Sequence, residues 1–457
     1  MPAEGLEAAR LVSSDTIVAI ATAAGRGALA VVRLSGPRSY EIARRHVKKW
    51  PHDSRIATLT ELHDNGTTID EAVVTLFPGP NSYTGEDTVE FSTHGGSVVP
   101  NSLVAALIAS GARQANAGEF TRRAVLNGKI DMLQAEAIGD LIDASSHAMQ
   151  RTALNQLDGG LSRRLLALRE ALIQLEALIA YDVDFPEEDD GPIPRERIEQ
   201  SSSHITASLK SLLATSGTGE LVREGALVVI AGPPNVGKSS LFNALLGRSR
   251  AIVTDIPGTT RDALEAVVDG NPWPLRLVDT AGIRGATDQI ERLGIEVSEK
   301  YLNDAHVVLA CADNREELPH VVRLLSTMTA AATLPVLTKS DLVSPPHQYD
   351  SNVVAVSAET GQGLQELLVE IERKLVESHG TTDSDAPMLT RARHRRALTA
   401  ACEELEQFQQ AWLHRGLPVT VAGVHLRTAT FELEQLIGSV DVEDVLDRVF
   451  SSFCVGK

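Results

Sequence analysis

The sequence is short of cysteine, of positive charge and of long apolar runs. Three cysteines among 457 residues exclude a disulfide framework and suit a reducing compartment. Lys and Arg number 42 against 61 Asp and Glu, so the formal net charge is −19. A chain this acidic does not bind nucleic acid over its whole surface, and any RNA contact requires a local basic patch or a partner's surface.

No apolar run approaches the length of a membrane-spanning helix. The opening segment MPAEGLEAARLVSS carries two Glu and lacks the apolar core of a signal peptide. We therefore expect a cytoplasmic protein with no membrane contact. The hydrophobic content of 43% supports buried cores, and the length predicts about three domains.

The clearest motif present is GPPNVGKS at 232–239, which stands between an apolar, strand-like run and a helical pattern. This order is that of the G-x-x-x-x-G-K-[ST] phosphate-binding loop. Gly232 and Gly237 let backbone N–H groups wrap a phosphate that a Cβ would block. We expect Lys238 to reach the β- and γ-phosphates and Ser239 to ligate Mg²⁺. The motif predicts a nucleoside triphosphate.

A second motif, DTAG at 279–282, follows another apolar run. Asp279 is placed to hold the Mg²⁺ shell, and the Gly282 N–H to meet the γ-phosphate. One hydroxyl of Thr259 or Thr260, between the two motifs, can complete the Mg²⁺ site. These residues extend the prediction to a magnesium–triphosphate complex.

The segment TKSD at 338–341 predicts which base is bound. Asp341 can accept two N–H bonds from the guanine edge, whereas adenine presents an acceptor there, and such a site rejects the wrong base strongly. Ser357-Ala358 would back the base. Thr338 stands where Asn is commoner, and its hydroxyl replaces only some of the amide's bonds, which affects guanine affinity rather than base identity. In this order and spacing the five elements resemble the GTPase superfamily and predict GTP.

Two details bear on hydrolysis. Many small GTPases place a water-orienting Gln directly after DTAG, but the position here is Ile283, so hydrolysis needs another group. Asn235 lies inside the phosphate loop, and 251–262 reads AIVTDIPGTTRD. In the GTPases that this pattern resembles, K⁺ lies beside the β,γ-phosphates in the place that an arginine finger fills elsewhere.

The first 128 residues have the pattern of a small α+β domain. Strands are predicted at 16–21, 28–34, 71–77 and 88–92, and a helix at 100–109. Its turn-rich stretch FPGPNSYTGED, 77–87, is either a connection or the lip of a ligand site. Alternating strands and helices over 221–378 predict a parallel sheet with right-handed crossovers.

Helical periodicity marks the parts on either side of that sheet, at 131–143, 161–178, 198–213, 389–412 and 431–450. The leucine stripe at 161–178 is a core face. The acidic turn 182–190 has no recognisable metal-ligand spacing and favours a solvated loop. The basic run at 391–396 either contacts RNA phosphates or forms a solvated helix face. We predict a multidomain protein: an α+β domain (1–128), a helical bundle in two parts (129–220 and 379–457), and an α/β P-loop domain (221–378) inserted in the bundle.

Together these motifs resemble the MnmE (TrmE) family of tRNA-modification GTPases over nearly the whole chain. The segments that carry the resemblance are DTIVAIAT, GRG, VVRLSG, FPGPNSYTGED, the HGG at 94–96, AGEFTRRAVLNGKIDMLQAEAI, DIPGTTRD, DTAGIR and the terminal FCVGK. Similar proteins end in FCIGK. The resemblance implies a folate-binding-like N-terminal domain, a Ras-like GTPase domain and a homodimer.

The resemblance also implies ligands. Arg33, Glu90, Lys129 and Lys457 would contact 5,10-methylene- or 5-formyl-tetrahydrofolate. K⁺ would be bound by Asn235, Thr254, Thr259 and the Ile256 carbonyl, and Mg²⁺ by Ser239 and Thr260. Glu291 would position water in place of the missing Gln, and Cys454 would take part in the modification chemistry. The full set of implied nucleotide and K⁺ contacts is Asn235, Val236, Gly237, Lys238, Ser239, Ser240, Thr254, Asp255, Ile256, Pro257, Gly258, Thr259, Thr260, Asp279, Thr280, Ala281, Gly282, Thr338, Lys339, Ser340, Asp341, Ser357, Ala358 and Glu359.

The family works with a flavoprotein partner, MnmG, in a heterotetrameric or larger complex that acts on tRNA. The implied reaction adds an aminomethyl or carboxymethylaminomethyl group to C5 of the wobble uridine, using methylene-tetrahydrofolate, the partner's FAD, and glycine or ammonium. Two alternatives stay open: a ribosome-assembly GTPase, which would need a basic RNA-binding appendage, and a folate-dependent aminomethyl transferase that GTP only regulates. Binding of a reduced folate to residues 1–128 would argue against the ribosome alternative.

Overall fold

The computed structural model describes residues 15–184, 195–248, 264–270, 272–279, 301–342, 352–380, 386–414, 417–438, 453 and 456. The chain divides into two compact units, Met1–Gly139 with Glu434–Lys457, and Asp140–Leu433. This division keeps most of the helical segments together with the P-loop domain, so the finer boundaries at 128, 220 and 378 stay predictions. Among the described helices, none has the length and apolar character needed to cross a membrane.

The first unit contains one mixed sheet. Its elements are β1 (Ile17–Ile20), β2 (Leu29–Ser35), α1 (Ser39–Arg44), β3 (Thr58–Asp64), β4 (Thr67–Phe77), β5 (Thr88–His94), α2 (Val98–Ala109), β6 (Arg113–Gln114) and α3 (Glu119–Leu126). The strand order is β3-β4-β5-β2-β1-β6, antiparallel except for the parallel β1–β6 pair. Leu103 and Leu107 of α2 join Val32, Leu34 and Phe91 in a buried core. The four predicted strands and the predicted helix are confirmed.

The sequence prediction missed β3, β6, α1 and α3 of this unit. The strands β3 and β6 form the two edges of the sheet, and β6 is only two residues long. The helix α1 has six residues, which is too short to show a helical period. Edge strands and single-turn helices are fixed by their neighbours rather than by a local pattern.

In the described residues between α3 and the second sheet, 185–194 excepted, there are five helices: α4 (Met132–Ile142), α5 (His147–Leu157), α6 (Gly160–Asp184), α7 (Arg195–Leu213) and α8 (Ser216–Glu224). The predicted leucine stripe lies on α6, where its members at 161, 165, 168, 172 and 175 are buried and the last, Leu178, is half-buried. The helix α7 packs along α6. The interpretation of the stripe as a core face is therefore confirmed, whereas most of the acidic turn 182–190 lies outside the described residues.

The second sheet comprises β7 (Ala226–Ala231), β8 (Leu264–Val268), β9 (Leu275–Asp279), β10 (Val307–Ala312), β11 (Ala332–Leu337) and β12 (Val354–Ala355), with helices α9 (Lys238–Arg248), α10 (Leu318–Met328) and α11 (Leu364–His379). The strand order is β12-β11-β10-β7-β9-β8. All neighbours are parallel except β8 and β9, so the expectation of a wholly parallel sheet is wrong at this edge. Six residues join β8 to β9, which is too short for a crossover helix and long enough for a hairpin.

After the sheet come α12 (Ala392–Phe408), a π-helical turn (Gln409–His414) and α13 (Val419–Ile437). The helix α12 packs on α7, so helices from before and after the sheet meet. Two predicted bounds are corrected: residues 389–391 are not helical, and the last described helix begins twelve residues before position 431. The segment 439–452 lies outside the described residues.

One arginine before the second sheet and one after it donate to the same carboxylate, that of Asp140. Arg223 Nε, three residues before β7, and Arg391 Nη2, just before α12, donate to Asp140 Oδ1 at 3.1 and 2.7 Å. The Asp140 side chain is 10% exposed. Of the basic run at 391–396, Arg391 and the buried His394 are thus internal, while the half-exposed Arg395 pairs with Glu220. The run is therefore not a simple solvated face.

Asp140→Asn is expected to lower the free energy of unfolding by about 2 kcal/mol, because it removes the negative charge that two partly buried guanidinium groups share. The value is below that for a fully buried pair since Arg223 and Arg391 are 32% and 21% exposed. The measurement is urea denaturation of the full chain. Asp158→Asn is the control, because Asp158 is 84% exposed and its pair with Arg163 should contribute less than about 0.5 kcal/mol. Equal shifts for both variants would contradict the role of Asp140.

Candidate nucleotide-binding site

The loop 232–237 joins the fully buried strand β7 to the start of α9. At Gly232 the backbone has φ +154°, and a Cβ there would lie 2.2 Å from the Cys311 carbonyl oxygen of β10. Only glycine fits this close approach of two strands. Asn235, at the tip of the loop, has φ +65° and an exposed side chain. The loop therefore has the local structure that the motif predicts.

Lys238 lies inside the loop, with a side chain that is 7% exposed. Its Nζ donates to the Gly232 and Pro233 carbonyl oxygens at 2.9 and 2.7 Å. Such carbonyl contacts hold the ammonium group at the concave side of the loop, where phosphate oxygens would bind. Ser239 follows it in α9 and is half-buried.

Asp279 ends β9 and is fully buried. It pairs in register with Ile230, near the end of β7, so its carboxylate stands at the same sheet edge as the phosphate loop. Beneath the loop, burial raises the pKa of the Cys311 thiol to about 12, so this cysteine stays protonated and is not a nucleophile.

The TKSD segment docks directly on the phosphate loop. The Thr338 hydroxyl donates toward the Val236 and Ala312 carbonyl oxygens. Lys339, at φ +54°, donates from Nζ to the Asn235 carbonyl oxygen at 2.8 Å. Thr338 thus links the base site to the phosphate loop by a hydrogen bond, as an Asn amide would at this position. A hydroxyl has one proton to donate, whereas an amide has two.

Lys339 has a second partner, Asp313, which the sequence prediction missed. The Lys339 Nζ also lies 2.8 Å from Asp313 Oδ2, and this hydrogen bond lowers the pKa of Asp313. Asp313 follows β10 directly, and a polar residue after a buried parallel strand is the signal that could have identified it.

The remaining base-site residues cluster around the end of β11 and the turn after β12. Asp341 is exposed in the 3₁₀ turn Ser340–Leu342, with its side chain open to a ligand. The Ser340 N–H donates to the Val356 carbonyl oxygen at 3.1 Å. Ser357 is fully buried, and its hydroxyl accepts from the Thr360 N–H at 3.1 Å, while Ala358 and Glu359 follow in the same turn. The structure therefore brings the three described segments, 232–239, 338–341 and 357–359, to one edge of the sheet.

Several predicted site residues lie outside the described part of the chain, and their roles stay predictions: Thr254, Asp255, Ile256, Pro257, Gly258, Thr259, Thr260, Thr280, Ala281, Gly282, Ile283, Glu291, Cys454 and Lys457.

In the first unit, Arg33 and Glu90 are direct cross-strand partners on β2 and β5. Arg33 Nε and Nη2 lie 2.9 and 2.8 Å from Glu90 Oε1. The guanidinium carbon is 5.0 Å from the Tyr83 ring centroid and 5.6 Å from that of Phe120. These aromatic neighbours were not predicted, although Tyr83 belongs to the turn-rich stretch 77–87.

The turn-rich stretch 77–87 is held in place by polar contacts. The buried Thr84 bonds Ser35 at 2.7 Å, and Glu86 accepts from Ser35 and Arg123 at 2.9 and 3.2 Å. The Tyr83 hydroxyl lies 2.8 Å from that of Thr121. The stretch is thus held against α3, with Tyr83 beside the Arg33–Glu90 pair.

Lys129 and the chain terminus also belong to this unit. Lys129 is exposed, and its side chain runs past Gly85. A Cβ added to Gly85 would lie 3.3 Å from the Lys129 Cγ. Gly456, at φ +103°, approaches so closely that a Cβ would lie 2.1 Å from the Ile20 carbonyl oxygen at the end of β1. Since β1 is paired with β2, the tail comes to the sheet that carries Arg33.

Comparison with known proteins gives matches along nearly the whole chain. The family described as "GTP-binding protein TrmE N-terminus" matches residues 16–129, and the "MnmE helical domain" matches 132–454. The tRNA modification GTPase MnmE of Aquifex aeolicus is 38% identical, covering 97% of this chain and 100% of that one. The protein of the same name from Caulobacter vibrioides is 40% identical, with coverage of 97% and 100%.

Among solved structures, the G domain of the T. maritima FeoB iron transporter is 29% identical and covers 34% of this chain and 99% of its own, with a TM-score of 0.26, too low to support a fold assignment. The family assignment rests instead on the match to residues 132–454 and on identity of 38–40% across 97% of the chain. The phosphate loop, the docked TKSD segment and these matches agree: the chain belongs to the MnmE family of tRNA modification GTPases.

Proposed function

We propose that this protein hydrolyses GTP as part of tRNA modification, adding an aminomethyl or carboxymethylaminomethyl group to C5 of the wobble uridine. The observation that carries the proposal is the phosphate loop with Lys238 held inside it, Asp279 at the same sheet edge and TKSD docked on its tip. Relatives named tRNA modification GTPase MnmE match 97% of the chain and support the link to tRNA modification.

The nucleotide chemistry is proposed as follows. Asp341 selects guanine by accepting two N–H bonds, and Ser239 with Thr260 would ligate Mg²⁺, with Asp279 in its shell. The exposed Asn235 side chain at the loop tip, together with Thr254, Thr259 and the Ile256 carbonyl, would hold K⁺. Oxygen donors of this kind fit both cations. K⁺ would supply positive charge beside the β,γ-phosphates.

Glu291→Ala is expected to bind GTP normally but to lower its hydrolysis about 10²-fold, because no Gln follows DTAG and another group must orient water. The measurement pairs fluorescent-nucleotide binding with phosphate release at saturating GTP. Near-normal turnover would remove Glu291 from the mechanism.

We propose a one-carbon role for the first unit. Arg33, Glu90, Lys129 and Lys457 would contact 5,10-methylene- or 5-formyl-tetrahydrofolate. Cations suit its glutamyl carboxylates, and a carboxylate suits the N–H edge of the pterin. The aromatic rings of Tyr83 and Phe120 beside Arg33 and the approach of the tail to β1 support this placement. Titration of 5-formyl-tetrahydrofolate into the full chain tests it, and no heat or fluorescence change at millimolar ligand would refute it.

We propose that the protein acts in the cytoplasm as a homodimer, and that it binds tRNA and the flavoprotein MnmG. Helices on both sides of the second sheet meet at α7 and α12, which supports an insertion through which nucleotide changes reach the helices. Light scattering of the full chain, alone and mixed with the flavoprotein, tests the two assemblies, and a monomer that forms no complex would refute both.

The function is tested by nucleoside analysis of tRNA from cells that lack this protein. Loss of the modified wobble uridine, restored by the wild-type chain, is the expected result. An unchanged wobble uridine together with accumulated ribosomal subunit precursors would favour the ribosome-assembly alternative instead.

A further inference from the structure

The first unit contains a cleft of 870 Å³ that is not part of the Arg33–Glu90 pair. Its walls are two glycine-rich turns, 25–27 between β1 and β2, and 95–96 between β5 and α2, with Leu29 and Asn101 beside them. The volume lies within the range of pockets that bind small organic molecules. Of the residues that the structure describes, neither the nucleotide machinery nor the proposed folate contacts Arg33, Glu90 and Lys129 line it.

A histidine–carboxylate pair stands at the rim of this cleft. His94 is the last residue of β5, directly before Gly95, and its register partner Leu29 lines the cleft. His94 Nδ1 lies 2.7 Å from Asp70 Oδ1, and the His94 backbone N–H donates to Asp70 Oδ2 at 2.8 Å. The two side chains have opposite exposure: His94 is 72% exposed and Asp70 is 9% exposed.

These contacts set the position of the ring proton. Burial by itself would raise the pKa of Asp70, but hydrogen bonds from the backbone and ring of His94 and from the Glu71 N–H lower it overall. An ionised carboxylate only accepts hydrogen bonds, so Nδ1 of a neutral His94 ring carries the proton and Nε2 keeps its lone pair. The exposed Nε2 is thereby prepared as a base, with a counter-charge behind it for the imidazolium.

We propose that His94, oriented by Asp70, accepts a proton from the primary amine or ammonia that the modification reaction consumes. This inference rests on the proposed function. The ammonium form of the amine gives one proton to Nε2, and the nitrogen lone pair so freed attacks the methylene carbon of the reduced folate. The bond from that carbon to N10 breaks, N10 keeps the electron pair and takes the proton from the imidazolium, and the new ammonium group releases a proton to water. The carboxylates of Asp70 and the exposed Glu71 favour the approach of a cation to His94, while Arg26 lies on the other glycine-rich turn of the cleft.

Asp70 acts through His94 as a positioning residue, and its substitution has a specific consequence. Both Asp70 oxygens accept hydrogen bonds: Oδ1 from the ring and from the Glu71 N–H, and Oδ2 from the His94 N–H. Asn keeps a single acceptor oxygen, so at least one of these donors faces its NH₂, and the negative charge behind the ring is lost. The imidazolium that forms on proton transfer then has no counter-charge, and transfer to Nε2 is less favourable.

The test uses the full chain with its flavoprotein partner, tRNA, GTP, reduced folate and ammonium, and follows the wobble nucleoside by mass spectrometry. His94→Ala is expected to lower the modification rate about 10²-fold, and Asp70→Asn to lower it by a comparable factor. GTP hydrolysis by the same preparations should stay within about twofold, which shows that the variants are folded. His52→Ala, another exposed histidine of this unit, is the control and should match the wild type.

Added imidazole separates proton transfer from a structural role. It should restore part of the modification by His94→Ala, because an exposed site admits the free base, and it should not restore Asp70→Asn. Full modification by His94→Ala, or a loss that imidazole leaves unchanged, would overturn the assignment of His94. Failure of the wild-type chain to modify tRNA would overturn the proposed function, and this inference with it.

Discussion

Lys238→Ala is expected to reduce GTP hydrolysis by about 10²–10³-fold, the range seen when one charge-stabilising group is removed from an active site. The ammonium group is 7% exposed and donates to two carbonyl oxygens of the phosphate loop itself. Its position is therefore set by the loop before any phosphate arrives. Without it, charge that builds up on the β- and γ-phosphate oxygens during bond cleavage has no ammonium partner.

The measurement is single-turnover phosphate release at saturating GTP. Lys374→Ala is the matched control, since Lys374 is a lysine of α11 whose contact is an ordinary helix-surface pair with Glu377. Thermal unfolding of both variants shows whether the loop still folds. A rate for Lys238→Ala within tenfold of the wild type would mean that the ammonium seen inside the loop does not serve the phosphates.

The phosphate-binding part of this site could be predicted from sequence because its determinants are local. A buried strand, a glycine turn and a helix start within about fifteen residues specify backbone geometry, and the structure has it, down to φ +154° at Gly232. Asp279 and TKSD were predicted for the same reason, since each directly follows an apolar strand and parallel strands end at a common edge.

Contacts between residues far apart in sequence could not be predicted. Asp140 joins Arg223 and Arg391, which are 83 and 251 residues away, and no local pattern links an acid in one helix to those partners. The Asp70–His94 pair is separated by 24 residues. Asp313 could have been marked as a site residue by its place after a buried strand, but its pairing with Lys339, 26 residues away, could not. Each of these pairs depends on strand or helix packing that the periodicity of a single segment does not contain.

The start of α13 was a different kind of miss, because a signal was present. Pro418 directly precedes the helix, and proline is favoured at a helix start. The next residues, Val419, Thr420 and Val421, are β-branched and have low helix propensity, which hid the helical period until later positions. Tertiary packing overrides that propensity, since Ala422 and Leu426 are fully buried.

Asn235→Gly is expected to abolish stimulation of GTP hydrolysis by K⁺ while leaving GTP binding within about threefold. The proposal places K⁺ against the Asn235 side chain, and a cation beside the leaving diphosphate should contribute about 10²-fold in rate. Glycine is chosen because Asn235 has φ +65°, which glycine adopts freely and alanine adopts only at a cost of about 1–2 kcal/mol. Asn235→Ala would therefore confound the lost amide with backbone strain.

The glycine variant also keeps the backbone carbonyl that accepts from Lys339 Nζ at 2.8 Å, so the base site stays tied to the loop. Rates are compared in KCl and NaCl at equal ionic strength for both proteins. The wild type should be about 10²-fold faster in KCl, and the variant should hydrolyse GTP in KCl at its own NaCl rate. Persistence of the KCl stimulation in Asn235→Gly would exclude the amide oxygen as a ligand. Equal wild-type rates in the two salts would exclude the cation from the mechanism altogether, and a basic side chain would then have to supply the charge.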